Sequence, residues 1–155
     1  MKTLHFWDLE ETVIDSWQSG LLTNVSIVSD FVAKHKIKEV TIFSFAIWNE
    51  KDLIRFDKEF KKMLEDTFEV KIVNVLTTEQ IRQTVCQAMC AQFDIHDFLS
   101  LWGKKRAFVE FCEAVHPNTH TVLLDDCVPN IVHHNLDTNS IIELVNVTTL
   151  FRRDA

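Results

Sequence analysis

The sequence predicts an α/β fold: a mostly parallel, five-stranded sheet with helices on both faces. Two observations predict it. Short apolar, β-favouring runs alternate with amphipathic stretches of helical period, and parallel strands need crossover connections that are usually helical. Acidic residues stand where apolar runs stop, Asp8 after the first and Asp125-Asp126 after a later one. In open sheets of this kind ligands bind outside the carboxyl ends of the strands.

The elements follow in order. Thr3 to Trp7 is the first strand, stopping at Asp8. A mixed stretch, Leu9 to Asn24, leads to an amphipathic helix over Val25 to His35, with Val25, Val28, Phe31 and Val32 on one face. Val40 to Phe45 is the second strand. Asn49 caps a long helix through Phe68, in which Leu53, Phe56, Phe60 and Leu64 keep helical spacing. Val70 to Leu76 is the third strand, and Thr77 with Gln80 forms a capping-box start for a helix to Phe93. A further helix covers Lys104 to Val115, Thr121 to Leu124 is the fourth strand, and Ser140 to Val147 the fifth. Phe151 to Ala155 reads as a polar terminus.

The 155 residues suit one domain, 1–155, able to bury a core unaided. With 46% hydrophobic and 25% charged residues the chain has the composition of a globular protein. No apolar run approaches the roughly 20 residues that cross a bilayer, so a cytoplasmic protein without membrane contact is expected. Cys86, Cys90, Cys112 and Cys127 lack zinc-ribbon spacing and read as reduced core thiols. A net charge of −7 argues against coating a nucleic-acid backbone, whose affinity comes from clustered Lys and Arg. With two glycines there is no Gly-rich phosphate loop.

Four short motifs occur in the order that the haloacid-dehalogenase (HAD-like) superfamily spreads along its sheet. Leu4-His5-Phe6-Trp7-Asp8-Leu9-Glu10-Glu11-Thr12 resembles its first, a strand followed by Asp-x-Asp-x-Thr, with Glu10 in place of the second aspartate. Thr41-Ile42-Phe43-Ser44 resembles the second, Gly103-Lys104-Lys105 the third, and Val122-Leu123-Leu124-Asp125-Asp126 the fourth. The stretch to Ile131 is most similar to compact magnesium-dependent phosphatases of the superfamily, and the opening Trp7-Asp8-Leu9 to the eyes-absent phosphatases.

The resemblance implies a Rossmann-like sheet with minimal or no cap domain, Mg2+ as cofactor, and hydrolysis of phosphate monoesters through an aspartyl-phosphate. Asp8 would be the nucleophile, a carboxylate already ionised at neutral pH. Glu10 would be the general acid and base. Its side chain is one methylene longer than aspartate, and a displacement of about 1 Å can cost roughly a hundredfold in rate. Ser44 and the neighbouring backbone at Phe45 would bind the phosphoryl oxygens, with Lys104, or Lys105, offsetting their charge. Asp8, the Glu10 carbonyl, Asp125 and Asp126 would supply oxygens to Mg2+.

The expected partner is a small phosphorylated molecule or an exposed phosphate on a macromolecule. A catalytically weak or inactive binding module of the same fold is the alternative, because of Glu10. A phosphoacceptor of the response-regulator kind fits less well, since its acidic pair belongs near the first strand. His116, His120, His133 and His134 raise a transition-metal reading, set against His116-Pro117-Asn118 reading as a loop before a strand. Trp17 is either core or part of a cover over the site.

Overall fold

The structure, a computed structural model, describes residues 1–150. The polar terminus expected over Phe151 to Ala155 lies outside the described residues. The elements are β1 (Thr3–Trp7), α1 (Val25–His35), β2 (Glu39–Phe43), α2 (Glu50–Glu59), α3 (Lys61–Phe68), β3 (Lys71–Leu76) and α4 (Thr78–Met89). There follow α5 (Ile95–Asp97), a π-helical turn (Phe98–Trp102), α6 (Gly103–Val115), β4 (His120–Asp125), β5 (Ile131–Asn135) and β6 (Ser140–Asn146).

The sheet has six strands, not five, in the order β3-β2-β1-β4-β6-β5. Every pairing is parallel except β5 with β6. The sixth strand, β5, carries His133, His134 and Asn135 and has no alternating apolar pattern of its own; pairing with β6 supplies the order that the local sequence lacks. β5 is an edge strand, where polar residues are the rule.

Successive strand residues face opposite sides, and this splits the core in two. Trp7, Ile42, Leu124 and Val145 pack with Val28, Phe31, Phe56, Phe60 and Leu64 from α1, α2 and the following turn and helix. Phe6, Phe43, Leu123 and Leu144 pack with Ile81, Val85, Phe108 and Phe111 from α4 and α6. Both faces of the sheet are therefore covered by helices.

Several elements differ from the sequence reading. The long helix is two, broken at Phe60 (φ −118°), the residue that receives the loop after β1. Trp17 lies 5.0 Å from its ring, and Arg55 sits 4.7 Å over Trp17. α4 closes at Cys90, whose left-handed φ of 52° ends it before Phe93. Val25 is exposed rather than packed. The caps at Asn49 and at Thr77 with Gln80 form as expected. All four cysteines are free thiols, but only Cys86 and Cys112 are buried; Cys90 and Cys127 are exposed. Among the described residues no helix is long and apolar enough to cross a membrane.

Candidate functional site

Register places the site. β1 is central, with Trp7 opposite both Ile42 of β2 and Leu124 of β4. One residue further on, Asp8 leaves the sheet beside Asp125, the last residue of β4, and the Asp8 N–H still donates to the Leu124 carbonyl at 3.0 Å. β2 ends at Phe43, so Ser44 and Phe45 lie just beyond the strand rather than within it.

Lys104 reaches this end of the sheet from the first turn of α6. Gly103 before it has φ +74°, a conformation costly for a residue with a Cβ, and it joins the π-helical turn to the helix. Lys104 Nζ lies 2.8 Å from Asp8 Oδ1 and 3.3 Å from Asp125 Oδ2. The lysine beside Asp8 is therefore Lys104, not Lys105. Burial alone would depress its ammonium, but the two carboxylates outweigh burial and hold its pKa above the usual lysine value.

The second Asp8 oxygen accepts from the buried Thr12 hydroxyl at 3.3 Å. Asp125 Oδ1 accepts from the Cys127 N–H at 2.7 Å. Asp125 Oδ2 is within ion-pair range of Lys104 yet, fully buried, makes no hydrogen bond. Burial pushes the Asp125 carboxyl up, Lys104 pulls it partly back, and Asp8 adds to the rise. Asp126 is pushed up to about 7, by burial first and then by its hydrogen bond to Glu11. The Cys127 Sγ donates to Asp126 Oδ2 at 3.2 Å, and that bond with burial raises the thiol to about 11, so it is protonated and not a nucleophile.

Ser44 Oγ accepts from the Ala46 N–H at 3.1 Å, which folds the backbone after β2 around the hydroxyl. The Phe45 carbonyl accepts from Trp48 Nε1, and its ring stands 4.6 Å from Lys104 Nζ. Glu10 is exposed, and its carboxylate accepts from the Trp17 N–H at 2.9 Å. The loop that this bond ties down is a short hairpin: Asp15 N–H donates to Leu21 and Thr23 N–H to Val13. Trp17 is half-buried against the core, and the hairpin carries Glu10's hydrogen-bond partner.

The sequence reading gave no role to Thr12, Glu11 or Cys127. Thr12 stood in a quoted motif, but its bond to Asp8 depends on the tight turn in which Thr12, Val13 and Ile14 all donate to the Leu9 carbonyl. Glu11 reaches Asp126 from a left-handed backbone (φ 60°) that nothing local announces. Of the histidines, His120 pairs with Glu143 and His133 with Glu113, while His116 lies against Phe6 and Phe111. They do not form one cluster.

Two carboxylates, Asp8 and Asp125, thus face one buried ammonium, with Asp126 next in the chain and one Asp125 oxygen without a hydrogen bond. Such a set of hard oxygens fits a hard divalent cation. Asp125, Asp126 and Cys127 bring ligand atoms within 4.8 Å of one another. The fold and site together define a mostly parallel α/β chain whose reactive groups meet beyond the carboxyl ends of its central strands.

No family model and no solved structure matches the chain. A β-xylosidase of Geobacillus stearothermophilus is 28% identical over 113 residues, 71% of this chain and 22% of that protein. The chain spans about a fifth of the length of this curated relative.

Proposed function

We propose that the protein is a magnesium-dependent phosphohydrolase of HAD-like type, cleaving phosphate monoesters through an aspartyl-phosphate on Asp8. The observation that carries this reading is Lys104 Nζ lying between Asp8 and Asp125, at 2.8 and 3.3 Å. It sets a cation against a buried carboxylate that still has lone pairs for attack.

In the proposed first step Asp8 attacks phosphorus, the bond to the leaving oxygen breaks, and Glu10 gives that oxygen a proton. In the second, Glu10 takes a proton from water as the water oxygen bonds to phosphorus, and the bond to Asp8 breaks. Ser44 and Lys104 hold the phosphoryl oxygens, where charge develops. Asp8, Asp125, Asp126 and the Glu10 carbonyl would hold Mg2+, which supplies neutralisation of phosphoryl charge when bound. No element of the described chain forms a separate cap, so an open site suits a small phosphorylated molecule or a phosphate on a macromolecule.

A glycosidase reading, suggested by the name of the relative, has less support. Glycosidase carboxyls flank a glycosidic oxygen across an open gap of about 5–9.5 Å, whereas here an ammonium fills the space between the acids. The binding-module alternative draws on one observation, that Glu10 is engaged with Trp17 rather than free.

The test is phosphate release from a panel of phosphorylated metabolites, nucleotides and phosphopeptides, with Mg2+ or chelator, against Asp8→Asn. Mg2+-dependent release lost in the variant supports the enzyme. Release that survives Asp8→Asn overturns it, and silence across the panel with Mg2+ still raising Tm favours the module.

A further inference from the structure

We propose that His5, His35, His120 and Glu143 form a second site, for a four-coordinate divalent transition ion of the zinc type, at the opposite end of the sheet from Asp8. His5 on β1, His120 on β4 and Glu143 on β6 project from the face that carries Trp7, Leu124 and Val145. Register sets Thr3 against His120, His5 against Val122, and Val122 against Glu143. His120 is therefore the diagonal neighbour of both His5 and Glu143, a spacing of roughly 7–8 Å that long side chains bridge. His35, the last residue of α1, comes from above, its ring 4.5 Å from that of Phe31.

These four groups line one cavity of about 230 Å³. His120 Nε2 already lies 3.1 Å from Glu143 Oε1. Three imidazoles and one carboxylate are a donor set for zinc-type ions rather than for Mg2+. Among the described residues the only set of three or more such groups with ligand atoms all within 4.8 Å of one another is Asp125, Asp126 and Cys127, so an ion here would draw the His5 and His35 rings inward across the cavity toward the His120–Glu143 pair. It would clip the end of α1 to three strands.

The test is titration of the intact chain with Co2+ at neutral pH. The expected result is the intense d–d absorption of four-coordinate Co2+ at one equivalent, with a rise in Tm. His120→Ala and His35→Ala should each remove both signals, while Cys127→Ser, at the other end of the sheet, keeps them. His35 is exposed at a helix end, so its replacement separates loss of a ligand from loss of the fold. No such absorption, absorption that survives both histidine variants, or absorption lost with Cys127→Ser would each overturn the proposal.

Discussion

Lys104 Nζ donates to Asp8 Oδ1 at 2.8 Å, a bond between residues 96 positions apart in the chain. Both side chains are about nine-tenths buried, so neither charge can turn to water if the other is removed. Lys104→Met should cost about 3–5 kcal/mol, the penalty of stranding a buried carboxylate. Urea unfolding measures it, and a loss below ~1 kcal/mol would show the pair behaving as an exposed one.

Glu10→Gln separates holding the hairpin from moving a proton. The amide oxygen can still accept from the Trp17 N–H, so stability should be unchanged. Turnover should fall roughly 10²–10⁴-fold if Glu10 is the acid and base. Unchanged phosphate release would take that role away from Glu10.

Two groups give opposite pH dependences in chelator. Asp126 stands at about 7 against an ordinary 3.8. Between those values the folded chain keeps a proton that the unfolded chain has lost, so this contribution is full below 3.8 and lost as pH rises through 7. Asp126→Asn, whose amide can still donate to Glu11, should match the parent Tm near pH 4 and exceed it increasingly toward pH 7. A constant difference would mean Asp126 is ionised throughout.

His5 acts the other way, at about 4 against 6.5. The unfolded chain takes up the proton first as pH falls, so stability is full above 6.5 and lost on the way down to 4. His5→Gln should flatten the Tm profile over that range, and an unaltered slope would place the acid sensitivity elsewhere.

A Cβ on Gly20 would stand 2.7 Å from Phe60 Cε1, at φ +64°. The Phe60 ring is held between Phe56 and Trp17 and cannot retreat cheaply. Gly20→Ala should cost about 1–3 kcal/mol and speed chymotrypsin cleavage after Trp17 as the hairpin lifts. Equal stability and cleavage would show the ring moving aside.

What was legible in the sequence was local. An apolar run stopping at an acid marks a strand end whatever surrounds it, so Asp8 and Asp125 were found, and Thr77 with Gln80 announced its own cap. What was not legible needed partners distant in the chain. β5 is a strand only because β6 lies beside it, and Phe60 breaks a periodic helix where Trp17 and Gly20 dock. Lys104 is favoured over Lys105 in the sequence only by following Gly103 directly; its reach to Asp8 depends on the direction in which α6 leaves that glycine. His5, His35 and His120, spread over the chain, line one cavity only through the strand register and the packing of α1, while His133 pairs with Glu113.

The central position of β1 bears on how the chain comes together. Thr3 pairs with His120 and Trp7 with Leu124, so β1 keeps one edge unpaired until β4, which follows β2 and β3 in the chain, has been made. Contacts of such long range slow folding. Until β4 emerges, the nascent chain shows an unpaired apolar edge, the kind of surface that chaperones hold and aggregates recruit.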